Sequence, residues 1–454
     1  MSLDVEDRPR RGRPPQRNEI LRSGQFGGIA PEELAEQFGT PLYVYDLDVI
    51  ERQVVALQTV LPSVAELAYA VKANPALAVV EHLGRLGLGA DIASGGELAT
   101  VRRAGIGADR IVMTGPGKRD DELAAAVAMG IRAVTVESPG ELARLEAIAS
   151  ALGRVQPVLL RAAVTEGARA ERVRLVGDDG AGKFGMDAGD LAAAARRAVD
   201  SSHLELLGLH AFGASNVLDA GALLEHVAAT VRAARRLALS VGTSLRLVDA
   251  GGGLGIPYEP HEAALDLARL GAGLTEIARD WAADPVLSEA RLLLEPGRFL
   301  VAESGAYLSR VVDRKTVNGR AVAILDGGVH HVLRPALVGQ DHRIRAFCAW
   351  AAAANGSKAT GPQATDSTDA ATASCSTTPG GAGTTTRMVP VTVAGPLCSG
   401  LDVFSHGAVM TPPSVGDLVA VLDVGAYGFT ESMPLFLSHP IPAEVAIRGG
   451  RAAL

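Results

Sequence analysis

Eight short apolar segments recur along the first two thirds of the chain, and their spacing leaves few folds open. They fall at 67–74, 89–94, 110–116, 133–139, 157–164, 204–212, 244–251 and 291–297. Between them lie amphipathic stretches rich in alanine and leucine, such as 120–129 and 190–199. An apolar run followed by a helical stretch, repeated over about 230 residues, predicts parallel strands wound by crossover helices into a (β/α)8 barrel. The main competitor is a doubly wound open sheet. It would be marked by a GxGxxG opening a helix after the first strand, and this chain has none there.

The flanks follow other rules. Residues 31–38 (PEELAEQF) read as a short helix with proline in its first turn and Gly39 just past its end. A strand is expected at 41–45. Asp46 is placed to cap the next helix, where Val49, Val54, Leu57 and Val60 recur at helical spacing. Beyond about residue 300, short β-rich runs at 306–312, 321–325, 388–393 and 418–422 are broken by Gly and Pro, which predicts a second, all-β domain. Segment 351–386 is mostly Ala, Gly, Ser and Thr and cannot bury enough to offset the entropy of ordering, so a flexible insertion is expected. The expected division is a disordered basic tail at 1–25, a first piece of the β-domain at 26–45, the barrel at 46–300 and the rest of the β-domain at 301–454.

Composition narrows the function classes. A net charge of −8 argues against broad nucleic-acid binding, although 8–17 (RPRRGRPPQR) is locally basic and proline-rich, as a tail would be. No apolar run reaches the roughly 18 residues of a membrane span and the N-terminus lacks a signal-peptide core, so a cytoplasmic protein is expected. The three cysteines, Cys348, Cys375 and Cys398, show neither metal spacing nor a disulfide framework, and no metal is expected. Cys398 remains a candidate functional thiol.

Polar residues stand where a barrel enzyme needs them. Lys72, Ser94, Glu137, Arg161, His210, Asp249 and Glu295 fall in or near the ends of the eight segments. The carboxyl ends of barrel strands are the face on which such sites are built. Lys72 ends the run LAYAVKANP, where Pro75 keeps Asn74 out of helical geometry. A lysine at the end of a buried strand either extends its amine to the surface or uses it chemically, as in a Schiff base. Gly251, Gly252 and Gly253 close the seventh segment and Arg298 follows the eighth, an arrangement suited to a phosphate.

YAVKANP, GADIASGGEL, KFG, DAGGGLGIPY, EPGRFLVAESG, GPLCSGLDVF and GAYGF occur in this order from Tyr69 to Phe429. Together they resemble the fold-type III pyridoxal-phosphate (PLP) decarboxylases, the group of diaminopimelate, ornithine and arginine decarboxylases. The resemblance covers nearly the whole chain apart from the tail and the insertion. It implies the barrel plus a β-domain built from both termini, with pyridoxal 5'-phosphate as cofactor. Lys72 matches the lysine that holds PLP through its amine. Glu295 matches the carboxylate facing the pyridine nitrogen, which keeps that nitrogen protonated and the ring an electron sink. Racemases on this barrel place an arginine there, so Glu295 favours decarboxylation over the alternative of a racemase or epimerase.

The resemblance further implies phosphate binding by Gly251, Gly252, Gly253, Gly297, Arg298 and Tyr427, with Ser215 a further donor. Asp91 and Ser94 match the second-strand motif near the cofactor, and His210 and Phe212 belong to the strand segment beside the ring. Cys398 and Asp402 match a CxxxD pattern inserted into the neighbouring subunit's site, with Cys398 the proton donor to Cα and Asp402 paired with Lys183. A homodimer with shared sites follows.

Departures from the pattern bear on the substrate. Ser399 stands where diaminopimelate and ornithine decarboxylases carry an acidic residue that reads the distal polar end. Arg334 begins RPAL, similar to the carboxylate-binding stretch of diaminopimelate decarboxylases, but Val338 replaces the tyrosine that follows. Phe212 replaces the histidine that stacks on the ring, and Ala214 replaces a glycine. These changes, with the ending at 436–442 (FLSHPIP), look closer to a biosynthetic subgroup that acts on a glutamyl group tethered to a carrier protein. The expected substrate is thus a small amino acid or a carrier-bound aminoacyl group, with free diaminopimelate the alternative.

Overall fold

The computed structural model describes residues 23–163, 182–347 and 388–454. The expected insertion at 351–386, Cys348, Cys375 and the tail up to residue 22 lie outside them. Strand β1 (Leu42–Asp46) precedes the barrel. The next eight are β2 (Ala65–Ala70), β3 (Gly89–Ile92), β4 (Ile111–Met113), β5 (Ala133–Val136), β6 (Gln156–Arg161), β7 (Leu204–His210), β8 (Leu247–Asp249) and β9 (Arg291–Leu294). Each pairs in parallel with the next, and β9 closes on β2 through Ala65–Leu292, Glu66–Leu293 and Leu67–Leu294.

Every expected apolar segment overlaps its strand, with β2 starting two residues and β6 one residue ahead of the segment, and all eight strands stop a few residues earlier at their carboxyl ends. The residues left over build the loops of the site. The most consequential case is β2, expected to run to Asn74. It ends at Ala70, and Val71–Ala73 forms a single 3-10 turn. Two hydrogen bonds explain the early stop: the Asn74 amide donates to the Val71 carbonyl (3.0 Å), and the Tyr69 hydroxyl donates to the Asn74 carbonyl (2.9 Å). Lys72 is therefore turned out of the strand, over the barrel mouth.

The barrel interior is a small plug of Ala68, Val112, Ala133, Leu159, Leu247 and Leu293. The larger core lies between strands and helices. Helix starts carry the chemistry their sequences promise. Asp46 accepts from the Asp48 and Val49 amides, and Ser94 and Ser138 accept from the Glu97 and Glu141 amides. Each such cap contributes about 1 kcal/mol and fixes where the loop ahead of the helix ends.

The second sheet is assembled from both ends of the chain. It contains β10 (Gly305–Val317), β11 (Arg320–Leu325), β12 (Ile344–Phe347), β13 (Val389–Ala394), β14 (Val403–Met410), β15 (Leu418–Leu422), β16 (Ala443–Arg448) and β17 (Arg451–Ala453). Strand β1 enters between β10 and β16, antiparallel to the first and parallel to the second. A short helix at Arg334–Val338 interrupts the otherwise β-rich region. Proline is tolerated there because the first helical turn has no use for its missing amide hydrogen.

Candidate active site

The carboxyl ends of the strands surround a cavity of about 280 Å³. Lys72 projects into it from the turn after β2, with its side chain 45% exposed to the open mouth. Its Nζ lies 2.7 Å from Asp91 Oδ2. Asp91 itself is buried on β3, and its Oδ1 accepts from the Thr114 hydroxyl after β4 (2.6 Å). Burial opposes charge on the Lys72 amine, but Asp91, Glu295 and Tyr427 outweigh it and hold its pKa above the ordinary lysine range. For Asp91 the balance runs the other way, since burial and the nearby Glu295 raise its pKa.

Glu295 stands beyond β9 on the same face, buried, with Oε1 lacking any hydrogen-bond partner among the described residues. His210, at the end of β7, brings Nε2 to 3.6 Å from Glu295 Oε2, a close ionic contact rather than a full hydrogen bond. Burial would raise the Glu295 pKa, but His210, then Lys72, bring it down to about 2. Asp249 at the end of β8 completes the group. His210, Asp249 and Glu295 offer atoms that all lie within 4.8 Å of one another, on three adjacent strands.

The glycine triplet forms a cradle beside the Glu295 backbone, whose amide donates to the Gly251 carbonyl (2.8 Å). Gly251 and Gly253 have φ of +64° and +96°, and a Cβ on Gly252 would meet the Glu295 carbonyl oxygen at 2.3 Å. Only glycine fits such a close backbone approach. Gly252, Gly253, Ser215, Gly297, Arg298 and Tyr427 line the cavity together. Arg298 is buried, donates to the Tyr258 hydroxyl (2.8 Å) and stacks 4.5 Å from the Tyr427 ring centroid, while its Nε has no partner. Tyr427 arrives from the second sheet and is tied to the Lys72 turn by its amide, which donates to the Ala73 carbonyl (2.8 Å). Asn74 Nδ2 adds a second tie, to the Gly425 carbonyl (3.0 Å).

Not every residue expected at the site reaches it. Ser94 spends its hydroxyl capping the helix Gly95–Arg103, and Ala93 lines the cavity in its stead. Cys398 is an exposed free thiol and, with the half-buried Ser399, is absent from this chain's own cavity wall. Asp402 is buried, and both its oxygens accept backbone hydrogens, from Val329 (2.7 Å) and Leu397 (2.7 Å). Arg334 is 5% exposed and lies over the Tyr258 ring at 3.4 Å, with Nη2 donating to Gln340 Oε1 (2.9 Å).

Other residues at the site carry no role in the sequence reading. Glu137 accepts from Arg161 Nη1 (2.7 Å), the Gly115 amide (3.2 Å) and the Gly185 amide (3.1 Å), so one carboxylate ties the loops after β4 and β6 together. This holds Phe184 of the KFG segment against Arg161, at 4.6 Å from its ring centroid. Glu137, Arg161 and Asp249 were visible as strand-end polar residues. Tyr258 was visible only as the last letter of DAGGGLGIPY.

The residues present fit pyridoxal phosphate. A buried cation with an unpartnered Nε beside a glycine cradle suits the phosphate, and the orphaned Glu295 Oε1 suits a protonated ring nitrogen. The Lys72 amine and the Phe212 ring line the same cavity.

Comparison with known proteins agrees. The family described as "Pyridoxal-dependent decarboxylase, pyridoxal binding domain" matches residues 47–302. An L-glutamyl-[BtrI acyl-carrier protein] decarboxylase of Niallia circulans is 30% identical over 92% of this chain and 91% of its own length. The diaminopimelate decarboxylase of Aquifex aeolicus is 31% identical over 94% of this chain and 91% of its own. The structure of diaminopimelate decarboxylase from Helicobacter pylori complexed with L-lysine superposes with a TM-score of 0.77 at 28% identity, covering 93% of this chain and 95% of that one. The chain belongs to the pyridoxal-dependent decarboxylases of the diaminopimelate and ornithine group, a carboxy-lyase that uses pyridoxal 5'-phosphate on a fold-type III barrel.

Proposed function

We propose that this decarboxylase removes the α-carboxyl group of an aminoacyl conjugate, such as a glutamyl group on a carrier protein, and not that of a free diamino acid. The observation that carries this reading is the position of Arg334. Its guanidinium is stacked on Tyr258, donates to Gln340 and is not among the residues that line the cavity, which supports a substrate without a distal carboxylate for it to read. Ser399 cannot pair with a distal ammonium, and Val338 offers no hydroxyl. The similarity to a decarboxylase of a carrier-bound glutamyl group supports the same reading. Free diaminopimelate is the second reading, favoured by the diaminopimelate decarboxylases of similar identity.

Lys72 would hold the cofactor, with Asp91 keeping the amine in place. Gly251–Gly253, Ser215, Gly297, Arg298 and Tyr427 would hold its phosphate, and Phe212 would cover one face of the ring. Bound pyridoxal phosphate supplies a ring that accepts the electron pair left when the bond to the carboxyl group breaks. Glu295 maintains the proton on the ring nitrogen. Cys398 acts from a second copy of the chain, giving a proton to Cα, while Asp402 holds the Cys398 loop through the Val329 and Leu397 amides, so the working form is a homodimer with shared sites. The exposure of Cys398, outside the residues that line its own chain's cavity, supports that arrangement.

The test is carbon dioxide release from free amino acids and from carrier-bound conjugates, with pyridoxal phosphate present. Turnover of glutamyl-carrier protein or a related conjugate is expected. Good turnover of free diaminopimelate, with none of any conjugate, would overturn the reading in favour of the second.

A further inference from the structure

Three carboxyl groups, Asp91, Asp249 and Glu295, converge on one lysine and one histidine at the base of the cavity. Asp91 is committed to Lys72 and Thr114. That leaves Asp249 and Glu295 facing each other with His210 beside them. Asp249 is fully buried, its Oδ1 accepts from the Gly251 amide (2.9 Å), and its Oδ2 has no partner among the described residues. Glu295 Oε1 is orphaned in the same way. The remaining neighbour, His226 on the helix Ala220–Val241, spends Nε2 on the carbonyls of Ala211 (3.3 Å) and Ala250 (3.0 Å). Among the described residues, no arginine or further lysine forms an ion pair with either carboxylate.

Two buried carboxylates at this spacing cannot both ionise, and a proton on one turns repulsion into a donor and an acceptor. We propose that Asp249 is a positioning residue that stays protonated and gives its hydrogen to the Glu295 carboxylate, so that one negative charge, flanked by His210, faces the cofactor's ring nitrogen. Several features say which of the two holds the proton. Glu295 has the favourable charges, His210 at 3.6 Å and Lys72 beyond it. Asp249 has burial and the Glu295 charge against its ionisation, and only the Gly251 amide in favour. Asp249 also sits two residues before the first glycine of the cradle. Its Oδ1 bond to Gly251 therefore fixes the start of the phosphate loop from the same side chain.

The inference rests on Glu295 facing the ring nitrogen, and the experiment separates the two claims. Difference infrared spectra of wild type against Asp249→Asn, taken on the full chain with and without pyridoxal phosphate, should show the carbonyl stretch of a neutral carboxylic acid at neutral pH in both states. In the loaded protein, Asp249→Ala should move the acid limb of the cofactor's absorbance upward by about one pH unit and weaken cofactor retention about tenfold. Asp249→Asn keeps an N–H donor and should stay close to wild type in both. Absence of the acid band overturns the proton on Asp249. A present band with an absorbance profile unmoved in Asp249→Ala overturns its service to Glu295. An Asn variant as impaired as the Ala variant overturns the hydrogen bond as the cause. Circular dichroism of both variants distinguishes these results from a failure to fold.

Discussion

Buried ionisable groups are treated in opposite ways at the barrel mouth and in the second sheet. At the mouth, Lys72 and Glu295 keep their charges: Asp91 and Glu295 hold Lys72 protonated, and His210, then Lys72, keep Glu295 ionised down to about pH 2. In the sheet region, charge is refused. Burial, followed by neighbouring cations and imidazoles, lowers His331 and His342 to about 3, and burial with His439 lowers His330 to about 4. The difference lies in the neighbours. Lys72 has the opposite charges of Asp91 and Glu295 beside it, whereas His330 and His331 have other imidazoles as neighbours and His342 has Arg334. One region preserves charge for chemistry, and the other uses imidazole as a shape for packing.

The comparison breaks most easily at Lys72. Lys72→Ala should remove the visible absorbance of bound cofactor and lower activity by about four orders of magnitude or more. Cys398→Ala, on the sheet side, should keep that absorbance and change reprotonation, read as altered deuterium incorporation in product formed in heavy water. Retained absorbance in Lys72→Ala would take the barrel half of the contrast away.

Asp402 belongs to the sheet side, yet it keeps a carboxylate in a buried position. It does so with two backbone amides, and Cβ atoms on Gly328 and Gly395 would meet its oxygens at 2.4 and 2.5 Å. The loop that carries Cys398 is folded around it. Asp402→Ala should therefore lower stability by about 3 kcal/mol, measured by urea unfolding, because two buried amides lose their acceptor. Asp402→Asn should retain part of that, since its carbonyl oxygen can serve one amide. If Asp402→Ala leaves the urea midpoint unchanged, the loop is held by other contacts.

The barrel was legible because its signal is repetitive: eight apolar runs with helices between them, each run overlapping one strand. Lys72, Glu295 and the glycine cradle were legible as unusual residues at strand ends. The sheet contributions were less so. Asp402 read as a group for a neighbouring site, while its bonds lie within its own loop. Arg334 read as a substrate contact, but Tyr258 and Gln340 hold it, and both contacts join segments distant in sequence. Nothing in the local pattern announces that a tyrosine after the glycine motif will cover an arginine over 70 residues later. Strand ends also escaped, since the turn at Val71–Ala73 depends on Tyr69 and Asn74 hydrogen bonds and not on apolar periodicity.

The smallest expected effect concerns His330, and it tests the refusal of charge directly. Its ring lies 3.7 Å from that of His331 and 5.0 Å from that of His439, centroid to centroid, and neither of its nitrogens has a partner among the described residues. Its folded pKa, about 4, is below the ordinary value of 6.5, so the unfolded chain binds the extra proton between those limits. Stability contributed by the neutral ring is therefore fully present above pH 6.5 and is lost as pH falls towards 4. Each such group steepens the fall by up to about 1.4 kcal/mol per pH unit within its window. His330→Phe keeps a flat ring, forfeits no hydrogen bond and removes the titration. Its stability at pH 7.5 should match or slightly exceed wild type, by about 1 kcal/mol at most, because two unsatisfied polar atoms are gone. Between pH 6 and pH 4.5 its urea midpoint should fall less steeply than that of wild type. Equal slopes in the two proteins would mean that the folded ring accepts its proton as readily as the unfolded one, and the sheet would then differ from the barrel mouth only in packing.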